Sequence, residues 1–339
     1  TDKSLGLLHT LIGTVPDNYK WATKLMGVDG TINQGISEME GVVNRSGNKA
    51  ELKNVKKETL FLLTFLHINL INDNDALINY LKEVQAEKGP LMDFAHASLL
   101  KETGKTNDAI LLLEQKPKSL ESFPYLKFML GEMKLARMDE DADKHLASFA
   151  ASFKGNSYKK AAYQKLAWHA LLVRSDVATY RSYISKIDGI GNTMIDEDKA
   201  AQRESESEIQ PNTVLLKARL QFDGGFYKEA LKTLIASNSK SFTTEDERLE
   251  FSYRLARIHH ELKNLQQAID YYRLTIEKGS DSKRYFAANS SLMLGMIYEK
   301  QGLMEAARTS FEACSSFNNS EYRNSINQKA KAGILRLKP

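Results

Sequence analysis

Leu255-Ala256 … His259 … Ala268 … Tyr272 and Leu294-Gly295 … Tyr298 … Gly302 … Ala307 … Phe311 are two copies of one pattern, both inside the stretch Tyr253 to Phe311. In each copy a small residue precedes the alanine of the next amphipathic segment by 12 positions, and an aromatic follows that alanine four residues later. Small residues at such points let two helices cross closely, while large ones fill the space between neighbouring pairs. The stretch predicts helix-turn-helix units packed side by side. It carries no chemistry of its own.

The pattern resembles the tetratricopeptide repeat, a helix-turn-helix unit of about 34 residues. Ala218, Ala256 and Gly295 stand at the family's small positions on first helices, and Ala230, Ala268 and Ala307 at those on second helices. Gly225 and Gly302 match its turn glycine. Lys263 departs from it, and Asn264 beside it can adopt the left-handed conformation in its place. Ser252 and Ser291 replace the family's bulky residue near the start of each first helix. The spacing is stretched to 38 residues from Ala230 to Ala268 and 39 from Ala268 to Ala307, which reads as longer helices or longer loops.

The resemblance implies an all-α, right-handed superhelical solenoid without a catalytic centre, whose first helices line a concave groove for a peptide or partner helix. Carried onto this chain, the groove positions fall on Arg219, Arg254, Arg257 and His260, with Tyr253 between them. Arginine offers a planar fork for carboxylates and Tyr253 a flat apolar surface, so the implied partner is a protein or peptide segment of acidic character. The Lys/Asn/Arg clamp of chaperone-binding members is not reproduced, because Leu215, Leu292 and Met293 occupy its places. Ion pairs with Glu250 and Glu261 are the competing use of the same arginines. Two rival functions stand beside the scaffold. One is a structural subunit whose groove is filled by its own N-terminal segment from upstream of Thr1, and the other is a helical-repeat enzyme.

Upstream the same rhythm continues in weaker form. Ala97, Leu100, Gly104, Ala109 and Leu113 fall in step with the later copies, as do Gly131 with Ala142 and Ala167 with Ala178. Lys56 to Leu70 is apolar almost all round, which predicts a helix in the middle of the stack. Near the start, Leu5 to Ile12 predicts a short helix. Pro16-Asp17 then opens a second, carrying Tyr19, Trp21 and Leu25. This opening, Leu5-Gly6-Leu7-Leu8 … Val15-Pro16 … Leu25-Met26-Gly27 … Gly30 … Gly35, is similar to the inclusion-body-clearance type of helical-repeat family and to envelope repeat proteins of Bacteroidetes-type bacteria. The chain begins with Thr1, and an upstream segment removed during export would place it in the envelope or periplasm. Gly189-Ile190-Gly191-Asn192 and the acidic stretch Asp196 to Glu208 interrupt the rhythm. The expected organisation is therefore a degenerate repeat region (1–188), a charged linker or irregular helix (189–210) and regular repeats with a C-terminal capping helix (211–339).

Composition limits the function further. The 339 residues carry 47 basic and 43 acidic side chains, a net charge of only +4, which leaves no electrostatic footprint for nucleic acid. Cys314 is the only cysteine, so neither an intrachain disulfide nor a cysteine metal cluster is available. The longest apolar run, Leu60 to Ile71, is broken by His67 and Asn69 and is too short to span a bilayer. His259 and His260 are adjacent, so on a helix they diverge by about 100° and cannot share an ion. No Gly-x-Ser-x-Gly elbow, P-loop or Gly-x-Gly-x-x-Gly is present. No metal, cofactor or catalytic residue is expected.

Overall fold

The computed structural model describes residues 2–15, 27, 29–47, 49–71, 74–207, 209–237, 241–319 and 321–337. The helix expected from Pro16 through Leu25 lies outside them. Among the described residues the regular structure is helical, with no strand. The chain separates into two compact units, one of residues 1–133 with 144–154 and one of residues 134–143 with 155–339.

The first unit begins with α1 (Asp2–Gly13) and α2 (Ile32–Ser46). They cross at glycine: a Cβ on Gly35 would lie 2.2 Å from the Gly6 carbonyl oxygen and from Thr10 Oγ1. Next come α3 (Lys53–Leu66), α4 (Asn74–Ala86), α5 (Pro90–Glu102), α6 (Thr106–Glu114) and the short α7 (Pro117–Ser122). The helix expected at Lys56 to Leu70 starts three residues earlier and loosens into a π-helical turn at His67–Ile71. Leu60, Leu63, Leu99, Ile110, Leu113 and Leu126 are fully buried and form the centre of this unit's core. Helices α8 (Tyr125–Ala136) and α9 (Ala142–Ser152) follow, and the division between the units passes through both.

The second unit holds α10 (Lys159–Leu172), α11 (Val177–Ile184), α12 (Asp196–Glu206), α13 (Thr213–Asp223), α14 (Tyr227–Ile235), α15 (Glu245–Glu261), α16 (Leu265–Lys278), α17 (Phe286–Lys300), α18 (Met304–Ala313) and α19 (Arg323–Arg336). From α13 onward the packing is regular. First helices α13, α15 and α17 lie side by side, and each packs on its own second helix α14, α16 or α18. Ala218, Ala230, Ala256, Ala268 and Ala307 are all fully buried, as close crossings require. At Gly295 an added Cβ would stand 2.5 Å from the ring of Phe311. Helix α19 packs on α17 and α18 through Ile326, Ala330 and Gly333.

The turn between paired helices repeats more widely than the sequence pattern does. Gly104, Met138, Ser175, Gly225, Lys263 and Gly302 all have positive φ. At five of these turns the amide after the left-handed residue donates to the carbonyl five residues back. The pairs are Lys105 to Leu100, Asp139 to Lys134, Phe226 to Gln221, Asn264 to His259 and Leu303 to Tyr298, at 2.7–2.9 Å. This is the Schellman closure of a helix C-terminus. Lys263 itself takes the left-handed conformation, at φ 63°, while Asn264 has φ −82°. The expectation that Asn264 would do so is corrected: the bond pattern requires the left-handed residue one place before the donor, and that place is 263.

The acidic stretch after Gly191 is the regular helix α12, docked on α10. Asp198 is fully buried, and its carboxylate accepts the amides of Tyr158 (2.6 Å) and Ala161 (2.9 Å). It thereby caps the N-terminus of α10 from another element. One turn and a half later Glu204 accepts from Gln164 Nε2 (2.6 Å), Trp168 Nε1 (2.9 Å) and the Tyr180 hydroxyl (3.0 Å). Helix α12 thus runs alongside α10 in the same direction.

Candidate partner-binding surface

Two caps set the register of the first helices. Asn212 caps α13 by accepting the amides of Val214 and Leu215, and its Nδ2 donates to the Ser241 carbonyl and to Glu247 Oε1. Glu247 in turn closes a capping box with Thr244 at the start of α15. The two helix starts are therefore tied through one asparagine and one glutamate, and side chains on α13 and α15 meet at defined heights.

At the centre of α15 stands Tyr253, only 2% exposed. Its ring packs on Phe286 (centroids 5.0 Å) and meets the edge of Tyr285 (5.6 Å, 80°). Its hydroxyl accepts from Arg257 Nη1 (3.0 Å) and from Asn289 Nδ2 on α17 (2.7 Å). The Arg257 guanidinium lies over the ring of Phe222 on α13 at 4.7 Å and over Tyr253 at 5.9 Å. One arginine on α15 is thus braced by aromatic rings from two successive first helices and remains half-buried. Such stacking holds a guanidinium's orientation while leaving fork edges for a planar acceptor.

The other expected residues divide. With about 100° of rotation per residue, Tyr253, Arg257 and His260 share one stripe of α15 and Arg254 lies off it. Arg254 is 8% exposed, and its guanidinium is bonded twice to Glu250, with Nε at 2.7 Å from Oε1. His260 places Nδ1 at 3.3 Å from the Tyr272 hydroxyl and stands edge-on to that ring, and burial holds its imidazole below its ordinary pKa. Arg219 on α13 lies over the ring of Trp168 at 4.9 Å, and Lys165 approaches the same ring at 5.3 Å. Both Arg219 and Arg257 directly follow the small residue of their repeat, and each rests on an aromatic side chain of another helix.

Phe222, Asn289 and Trp168 hold these positions together and were not legible as site residues. Their signal lies in distance across repeats. Arg257 meets a phenylalanine 35 residues before it, and Tyr253 an asparagine 36 residues after it, close to one repeat length each way. Cys314, expected in the core, is 2% exposed, and burial pushes its thiol up to about 12. It stays protonated and unreactive at neutral pH.

Residues 215–283 and residues 288–321 each match a family model described as a tetratricopeptide repeat. No curated protein matches the chain. The matched segments cover the regular array of α13 to α18 together with the turn that leads into α19. Over residues 215–283 and 288–321, this chain is built of tetratricopeptide repeats.

Proposed function

We propose that the chain is a non-catalytic interaction scaffold that holds an acidic segment of a partner protein on the first-helix face of α13, α15 and α17. Tetratricopeptide repeats are in general protein-interaction modules, and the matched segments include most of α13, α15 and α17. The observation that carries the finer reading is Arg257, braced over Phe222 and bonded to the Tyr253 hydroxyl. A guanidinium already fixed in orientation loses less entropy on meeting a carboxylate than a free surface arginine does. Arg219 adds a second charge on the neighbouring helix, and His260 extends the stripe. Arg254 supports the face from within by its bond to Glu250.

The test begins with capture of the partner from native extract and continues with affinities for purified variants. Arg257→Ala is expected to weaken the complex by roughly 10- to 100-fold, since a hydrogen bond to a charged group contributes about 1.5–3 kcal/mol. Raising the salt concentration should weaken the wild-type complex too. Arg254→Ala should lower thermal stability more than affinity. Unchanged affinity in a folded Arg257→Ala variant would move the site off this face.

A further inference from the structure

Helix α12 and its flanking loops lie in the chain between the pair α10/α11 and the pair α13/α14, which meet through Trp168 and Leu171 of α10 and Leu216 and Leu220 of α13. A cleft of about 570 Å³ opens beside that contact, between the end of α10, the start of α11 and the facing ends of α13 and α14. Leu171, Leu172, Val177 and Val214 supply an apolar wall, and Thr213 and Lys217 on the first turns of α13 supply the polar side. Among the described residues Lys217 makes no ion pair or hydrogen bond, while buried Lys134 and Lys160 of the same unit bond to Asp141 and to the Ile187 carbonyl. A half-buried lysine without a partner among the described residues, lining one cleft with an apolar wall, is an arrangement that can orient an amphipathic anion. Its volume lies within the usual range for small-ligand pockets, roughly 300–1,000 Å³.

We propose that this cleft binds a carboxylate with an apolar body, the carboxylate on Lys217 and the body against Leu171, Leu172, Val177 and Val214. The site is separate from Arg257 and does not depend on the scaffold reading. Two sources share this chemistry, a free fatty carboxylate and the apolar C-terminal residue of a polypeptide. Lys217 acts by charge and reach, since an ammonium is a point donor without a preferred plane.

Isothermal titration of the full chain with sodium decanoate tests the assignment, with acetyl-Val-Leu as the polypeptide arm and decyltrimethylammonium as the cationic control. The expected result is saturable one-site binding of at least one carboxylate, weakened tenfold or more by Lys217→Met and restored by Lys217→Arg. Arg257→Ala should leave it unchanged. The tighter of the two carboxylates identifies the source. Absence of saturable heat with both carboxylates would overturn the proposal, as would equal binding by Lys217→Met or equal binding of the cationic amphiphile. Circular dichroism on each variant confirms that the helices remain.

Discussion

At the scale of single residues, the repeat is held by backbone conformation and by space. Lys263 occupies a left-handed turn position that Gly225 and Gly302 fill in the neighbouring repeats. An L-residue there is disfavoured by roughly 1–2 kcal/mol, and glycine gives back about 0.5–1 kcal/mol through its freer unfolded chain. Lys263→Gly should therefore stabilise the protein by about 0.5–1 kcal/mol, seen as a higher denaturant midpoint. Phe311 shows the opposite case. Its ring lies between Gly295 and Gly333, where added Cβ atoms would stand 2.5 and 2.6 Å from ring carbons. Overpacking by about 1–3 kcal/mol outweighs the helix-propensity gain of about 1 kcal/mol, and the ring cannot slip toward either glycine. Gly295→Ala should thus lower the melting temperature. A rise would show that the ring has room. His260 adds a pH dependence. Burial keeps it neutral in the folded chain, so the unfolded chain binds the extra proton as pH falls through about 6.5 and stability drops below that point. The difference in melting temperature between about pH 8 and pH 5.5 should be smaller in His260→Gln than in wild type. An identical difference would remove His260 from that account.

At the scale of elements, α12 is the instructive case. Its sequence is acidic and carries few apolar residues, so its charges read as solvated. The structure buries one of them completely: Asp198 satisfies two of the free amides at the start of α10. Loss of a capping carboxylate typically costs about 0.5–2 kcal/mol, and burial places this site at the upper end. Asp198→Ala should lower stability by about 2 kcal/mol in chemical denaturation, with Asp198→Asn milder because one oxygen remains. A neutral Asp198→Ala variant would show that α10 is capped by other means. The same helix positions Trp168 through Glu204, and Trp168 is the ring on which Arg219 rests. A segment that reads as spacer thus reaches the edge of the proposed binding face.

At the scale of the molecule, each compact unit builds its core from neighbouring helix pairs. In the second unit α19 covers Phe311 with Gly333 and buries Ile326 and Ala330. A stack of repeats presents an apolar face at each end unless a terminal helix closes it. Ending the chain after Glu321 should lower the melting temperature and promote self-association, measurable by light scattering. A monomeric truncation of wild-type stability would show that α18 needs no cover. No helix among the described residues is long and apolar enough to cross a membrane.

The sequence by itself determined the helix-pair architecture of α13 to α18, because small residues, turn glycines and aromatics recur there at repeat spacing and each has a local steric meaning. It also determined that Cys314 and the alanines 218, 230, 256, 268 and 307 lie in the core, whereas Ala178, expected to match Ala167, is exposed on α11. Only the tertiary structure decided that Met138 makes the same left-handed turn as the glycines, and that Ser175 takes positive φ in a wider turn closed from Asp176 to the Ala170 carbonyl. Methionine and serine carry no sequence mark of positive φ, and the surrounding helices impose it. The fate of the arginines was likewise a tertiary matter. Arg254 and Arg257 are three residues apart on one helix, yet one is bonded to Glu250 and the other bridges two helices. Periodicity reports which face a residue occupies. Which neighbour it meets is set by the helix packed beside it, 35 residues or more away in the chain.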